Sequence, residues 1–255
     1  MRQHHKLLLC QFLVQIFALI GTIYYWNTFN IGWFLIILLG ITIFSFGGLC
    51  CYYHRYCSHN AFDLDLTTEK VIHYLSILNM QGSVILWSSN HITHHKYSDK
   101  DGDPHPGSER LRTWFWWNTY NNSKLNAFKV KKMLKNPMYK YTHDNYFKLY
   151  FAMMFIFILI DPMFTLCFIV IPATYTFYST SFVNVITHNF GYRNFNTNDK
   201  STNMPLPFLD ALHNNHHKYP NRYDTAIKWY EVDFAAALIN FYKFIRNLNN
   251  DIQKT

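Results

Sequence analysis

The sequence predicts an all-α integral membrane protein, with four transmembrane helices in two hairpins beneath a cytoplasmic helical cap. Three observations predict it. Half of the 255 residues are apolar and only 15% are charged. The apolar residues gather into a few long runs instead of spreading along the chain. The basic residues avoid the two short turns between those runs. Such apolar richness excludes intrinsic disorder. Five cysteines, an odd number in a long chain, exclude a disulfide-stapled scaffold.

The first run, 7–25, is 19 residues without a charge, and the second, 31–51, is 21. A bilayer core takes about 20 apolar residues as helix, so both can cross. The linker 26–30 is short and makes them an antiparallel hairpin. The start Met1–Lys6 followed by an apolar run imitates a signal peptide. The run is too long for one, lacks a small-x-small cleavage site and leads into a second span. The third span is short, 147–160, and takes in Phe147 with Lys148 snorkelling. Asp161-Pro162 ends it, because proline fixes its own φ and biases the residue before it away from helix. The fourth, 163–187, is charge-free and is expected to kink at Pro172. The cap comprises 52–146 and 188–255, and the whole of 1–255 is read as one domain.

Of the 23 Lys and Arg, 12 lie in 52–146 and eight follow His188; Arg2, Lys6 and Lys148 are the others. The positive-inside rule puts both termini and the middle segment in the cytoplasm. It also accounts for the net charge of +8 without nucleic acid, for which no motif is present. Within the cap, 71–87 is apolar but interrupted by His73, Asn79, Gln81 and Gly82, and reads as a helix lying on the membrane face. The aromatic run 113–120 reads equally as an interfacial anchor or an aromatic core turn. The stretch 124–140 has six Lys and no acid, the mark of a solvated or lipid-facing surface.

Nine of the 14 histidines form a pattern. His54 and His59 follow the second run as H-x4-H. His91, His94 and His95 form H-x2-H-H, as do His213, His216 and His217. His188 stands at the end of the fourth run, with Asn184 one turn before it. On a helix, positions i, i+3 and i+4 share a face, so each H-x2-H-H set aims three imidazoles at one spot. The pair His54/His59 lies about 140° apart on an ideal helix, and so either straddles two metals or sits where the helix frays. A lone histidine such as His4, His5, His73 or His143 is a core or capped residue. Two H-x2-H-H sets on one side of the membrane point instead to a buried metal site. Nine ligands are too many for one ion, so two metals are implied. The donors are nearly all neutral nitrogen, which disfavours magnesium and calcium. Zinc hydrolysis needs a general base such as the Glu of H-E-x-x-H, and none stands beside these histidines. A dimetal site against a membrane suits oxygen chemistry on a lipid-borne substrate.

The boxes His54–His59, His91–His95 and His213–His217 together resemble the membrane fatty-acid desaturases of the stearoyl-CoA/Δ9 type, in a bacterial-like form. Asp103-Pro104-His105 is similar to the family's D-P-H, and Asn184–His188 followed by Gly191-Tyr192-Arg193 to its N-x3-H…G-Y-R. Trp229–Asp233 resembles the W-x-E-x-D after the third box. The resemblance implies four spans under a cap holding a dimetal site of two irons, with O2 as co-substrate. All nine clustered histidines would be ligands, and Asn184 would hold a water on one iron. Gln81, Trp87 and Thr180 match residues lining the bend of the family's acyl tunnel. The implied activity is oxygen-dependent insertion of a cis double bond (Δ9-type) into a saturated acyl chain, acyl-CoA or acyl-lipid. The implied electron donor is a separate protein of ferredoxin or cytochrome b5 type. The implied location is a bacterial inner membrane, or the endoplasmic reticulum of a eukaryote. Ligand type does not separate iron from zinc, so a preparation from a foreign host can carry zinc.

The chain departs from the family at two places. Animal acyl-CoA members carry Arg-Asp where Ser89-Asn90 stands, and the G-E-G common before the third box is replaced by Asp210–Leu212. These changes turn the expectation away from CoA as carrier. His105–Ser108 is similar to the haem-binding H-P-G-G of cytochrome b5, but no b5-sized region accompanies it and the match reads as chance. Two other functions compete: a dimetal membrane hydroxylase of a lipid or alkane, and a metal-binding or transport membrane protein. Transport needs ligands within the spans, where only His188 comes near.

Overall fold

A computed structural model of the chain describes residues 3–116, 130–206 and 209–252. The end of the aromatic run, 117–120, and the start of the lysine-rich run, 124–129, lie outside the described residues. The described residues form helices and contain no β-strand, only isolated bridges from Asn203 to Tyr192 and to Leu212.

Helix α1 is Gln3–Tyr24 and α2 is Ile31–Ser58. Asn30 caps α2, its side chain accepting from the amides of Gly32 and Trp33. The first part of α2, Ile31–Gly40, is α-wound; Ile41–Ser58 is π-wound. Helix α3 is Leu66–Leu75, capped by Asp65, and α4 is Val84–Tyr97. The expectation of one helix over 71–87 is corrected here. The chain breaks between α3 and α4, at a left-handed Met80 (φ 53°) and Gly82 (φ 83°). The break is buried, so its polar groups need partners. Asn79 donates to the Phe44 carbonyl, Tyr53 to the Gly82 carbonyl, and the Gly82 amide to the Tyr146 hydroxyl.

Helix α5 is Tyr146–Ile160 and α6 is Pro162–Ile186. Asp161 separates them and caps α6 through the Phe164 amide. Just before Pro172 the winding changes: Leu166–Val170 is π-wound and Ile171–Ile186 α-wound. Proline cannot bond the carbonyl four residues back, that of Phe168. That carbonyl faces Gly40 of α2, where a Cβ would meet it at 2.3 Å. The glycine is what lets the two helices touch there. Short helices Arg110–Trp114, Lys131–Lys135 and Pro137–Asp144 lie between α4 and α5, and α7 (His213–Lys218) and α8 (Phe234–Ile252) follow α6.

By length and composition α1 from His5, α2 and α6 can each cross a membrane, whereas α5 is apolar but has only 15 residues. Large apolar side chains on α1, α2 and α5 point outward, among them Leu19, Phe34 and Leu159. A helix apolar on its outer face as well as its inner one is built for lipid. One core lies among α1, α2, α5 and α6, around Phe44, Tyr150 and Ile169. A second lies where α2, α4 and α8 meet, around Leu49, Ile85 and Ile239. The histidines sit at that end of the bundle.

Candidate metal centre

Four elements deliver the nine histidines. The end of α2 supplies His54, and His59 is its C-cap. Helix α4, started by the Ser83 hydroxyl accepting from the Leu86 amide, supplies His91, His94 and His95. His188 follows the end of α6, and α7 supplies His213, His216 and His217.

They form two groups. His54, His59, His91, His95 and His216 make one, and His94, His188, His213 and His217 the other; within each, the donor atoms lie within 4.8 Å of one another. The aim of each H-x2-H-H set at one spot is thereby corrected. Both sets are divided: the i, i+4 pair goes to one group and the i+3 residue to the other. His91 and His95 join the five while His94 joins the four; His213 and His217 join the four while His216 joins the five. The pair His54/His59 does not straddle the groups. Bonding from i to i+5 stacks residues five apart, so the π-wound end of α2 brings these two rings to 5.0 Å.

The inward nitrogens nearly touch. The Nε2–Nε2 distances are 2.7 Å for His59–His91, 3.0 Å for His91–His95, 2.8 Å for His95–His216 and 2.9 Å for His54–His216. In the second group His188–His213 is 3.0 Å. Nitrogens about 2.1 Å from one ion stand about 3.0 Å apart at right angles and about 3.4 Å apart at tetrahedral angles. The observed spacing is the right-angled one.

Behind the rings stand carboxylates. Asp210 accepts from Nδ1 of His54 at 2.8 Å, Asp103 from His94 at 2.9 Å, Asp99 from His188 at 2.9 Å and Asp199 from His217 at 2.8 Å. An ionised carboxylate only accepts, so the ring proton sits on Nδ1 and the Nε2 lone pair points inward. The Nε2 atoms of His94 and His217 are buried and have no hydrogen-bond partner. Burial foremost, then the neighbouring imidazoles, holds His59, His91, His95, His213 and His216 well below the usual histidine range. Burial brings His217 to about 4. Burial alone would raise Asp210, but His54 and Arg55 beside it hold it below the carboxylate range. Neutral donors with inward lone pairs and outward carboxylates fit a pair of cations.

Arg55 is fully buried and ties three distant segments together. Its guanidinium meets Asp210 at 2.8 Å and Asp233 at 2.9 Å, and donates to the Tyr223 carbonyl. Glu231 is buried too. It accepts from Tyr192, Asn194 and Asn215, and from the amides of Ile227 and Lys228. Asn215 lies on α7 between His213 and His216, so the W-x-E-x-D acids brace the third box and the first.

Gln81, Trp87 and Thr180 line one narrow cavity of about 40 Å³, together with Asn184, His91 and His105. That volume is room for little more than one water. Trp87 stacks on His91, centroids 4.9 Å apart. The Thr180 hydroxyl donates to the Thr176 carbonyl at 2.8 Å, the intrahelical alternative for a membrane threonine, so it offers the cavity no free proton. Ser89 and Asn90 are buried on α4, and Asn90 faces this cavity.

Sequence reading missed several of these residues. It used Asp103 and Asp210 only as family marks, and passed over Asp99 and Asp199. Their separation from the rings they hold, from nine to 156 positions, carries no local signal. His105 was set aside with the haem-like match. It is buried against His94, rings 4.3 Å apart, and burial brings it to about 3. Gly107 beside it admits the His188 Cβ, which a side chain there would meet at 2.4 Å. The H-P-G stretch therefore packs the second-box loop onto the end of α6.

A family model described as fatty acid desaturase matches residues 28–241, which include all nine histidines. The chain is 28% identical over 253 residues to the sn-1 stearoyl-lipid 9-desaturase of Synechocystis sp., covering 94% of this chain and 76% of that one. It is 29% identical over 218 residues to the sn-2 palmitoyl-lipid 9-desaturase of Nostoc sp., covering 76% and 74%. It is 26% identical over 208 residues to Delta-9 acyl-lipid desaturase 2 of Arabidopsis thaliana, covering 78% and 68%.

Proposed function

This chain belongs to the fatty acid desaturase family, and on that premise we propose that it inserts a cis double bond, Δ9-type, into a saturated acyl chain carried on a membrane lipid. The observation that carries the reading is the pair of histidine groups, with inward lone pairs about 3 Å apart. The donors are imidazoles, which suit iron and zinc alike, so the choice of iron rests on the family. The reaction is a balanced oxidation: two adjacent methylenes, O2, two electrons and two protons give the alkene and two waters. Two irons, when bound, supply the capacity to reduce O2 and oxidise the C–C bond.

The protein's own residues hold and orient. His54, His59, His91, His95 and His216 hold one ion. His94, His188, His213 and His217 hold the other, with Asn184 reaching it through a water. Asp210, Asp103, Asp99 and Asp199 fix the tautomer and ring orientation of their histidines. Gln81, Trp87 and Thr180 line the cavity beside His91, which is too small for an alkyl chain as it stands and must widen to admit one; positioning there decides which C–C bond reacts.

Two observations support a lipid carrier over CoA. Ser89-Asn90 gives no charge where animal members carry Arg-Asp, and the relatives above are named for lipid-linked acyl chains. Electrons come from a separate donor protein. The fold is read as four spans in two hairpins, α5 being the short third one, with the cap on the basic, cytoplasmic side. The test is the fatty-acid profile of cells expressing the chain, with double bonds mapped and the His216→Ala variant as control. New Δ9 unsaturation on lipid-bound chains, absent in the variant, is expected. Hydroxylated products, or equal use of acyl-CoA by the purified protein, would overturn the desaturase reading or the carrier respectively.

A further inference from the structure

The stretch Trp229–Phe234 is turned inside out. Its two acids, Glu231 and Asp233, point inward to α7 and Arg55. Its apolar residues point outward, Trp229 being 95% and Val232 62% exposed. Helix α8 continues the pattern. Ala235 and Ile239 pack into the core against α2, while Phe234, Phe241, Phe244, Ile245 and Leu248 are exposed. At about 100° per residue those five fall within an arc of about 100°. Among the described residues nothing covers this stripe, and scattered surface apolar residues do not align this way.

Its position says what covers it. The Phe234 ring stands 6.0 Å from Phe46, and the Ala235 carbonyl accepts from the Cys51 thiol. Phe46 is the sixteenth residue of Ile31–Ser58, a helix read as a span, and a crossing takes about 20. The root of α8 thus lies beside a part of α2 still within or at the edge of the hydrocarbon. The Phe46–Phe234 contact joins the start of the stripe to α2, whose earlier residues Phe34, Leu35, Leu38 and Leu39 are exposed. Lys228 and Arg246 adjoin it in sequence, the company kept by helices that lie against anionic headgroups.

We propose that 229–248 is an in-plane membrane shelf, its apolar stripe seated in the acyl–headgroup boundary of the leaflet nearest the histidine groups. Because Glu231 and Asp233 on the inner side brace α7 and Arg55, the shelf fixes the height of the histidine groups above the acyl layer. The inference rests on the membrane-spanning reading of α2 and is independent of the reaction catalysed.

The test is site-directed spin labelling of the whole chain in phosphatidylcholine–phosphatidylglycerol vesicles. Single variants Phe244→Cys, Leu248→Cys, Asn247→Cys and, on α2, Leu38→Cys are labelled. The unmodified chain, whose own cysteines are buried or half-buried, gives the background. Collision with dissolved O2 reports lipid, and collision with a water-soluble nickel chelate reports solvent. Positions 244 and 248 are expected to match 38, with O2 contact severalfold above chelate contact, while 247 shows the reverse. Chelate contact at 244 and 248 with lipid contact at 38 overturns the shelf alone. Dipolar broadening between labels at 244 overturns it in favour of a second copy. Chelate contact at 38 removes the span on which the inference stands.

Discussion

The two histidine groups differ in what stands behind them. The five-histidine group has one carboxylate, Asp210 on His54, and that charge is shared with Arg55. The four-histidine group has three, Asp103, Asp99 and Asp199, and among the described residues no guanidinium pairs with them. The group with fewer histidines thus has the denser ring of negative charge. Outer carboxylates raise ligand basicity, so the two centres are expected to differ in the charge they hold best.

The largest test removes one ligand from each group. His216→Ala and His213→Ala should each lower turnover by more than about 100-fold, beyond what loss of an outer partner does. Iron should fall from about two to about one per chain in each, by elemental analysis against protein. Two ions retained in both variants would mean that the groups are not separate centres.

The outer carboxylates sharpen the comparison. Asp103→Asn should cost about 10–100-fold in activity or metal affinity and perturb one of two iron signals in a Mössbauer spectrum. Asp210→Asn should instead appear first as lost stability. It leaves the buried Arg55 half-paired, at a cost of about 3–5 kcal/mol in the melting of detergent-solubilised protein. Indistinguishable effects of the two changes would erase the difference drawn here.

The cavity gives a smaller effect. Thr180→Leu fills space beside Trp87 and His91 without touching a donor nitrogen. Double-bond position or chain-length preference should shift severalfold, with both irons retained. An unchanged product spectrum would make Thr180 a helix residue only.

The smallest effect separates a metal-poised histidine from a structural one. His73 is as buried as the nine, but its nitrogens meet the Tyr52 hydroxyl at 2.9 Å and the Thr142 hydroxyl at 2.8 Å. Burial brings it to about 4, against about 6.5 unfolded. Its folded value is depressed, so the unfolded chain binds the proton first. Stability is complete above about 6.5 and falls as pH drops toward 4, by at most about 3 kcal/mol. The pH slope of the melting point over that window should flatten in metal-loaded His73→Gln. An unaltered slope would show that His73 does not contribute it.

The histidines and three long helices were legible because their signals are local: spacings of three and four, and runs of about 20 apolar residues. The division of each H-x2-H-H set between two groups was not, because helical periodicity gives a shared face but not how many centres it serves. The π winding of α2 was not, since Ile41–Ser58 carries no residue that demands it. Asp103 stands in a motif, yet a motif does not say which ring an acid holds, and Asp199 stands in none. The break at Met80 and Gly82 was flagged by the glycine alone, since nothing in the sequence marks Met80 for the left-handed region.

Arg55 also sets an order of events during synthesis. Its two carboxylates, Asp210 and Asp233, stand 155 and 178 positions later in the chain. When α2 leaves the ribosome, that guanidinium stands uncompensated at the membrane edge, and His54 beside it has no Asp210 to fix its tautomer. Each histidine group likewise awaits α7 for one or two of its donors. A nascent or prematurely ended chain offers only scattered imidazoles, and neither group is complete until α7 has joined it.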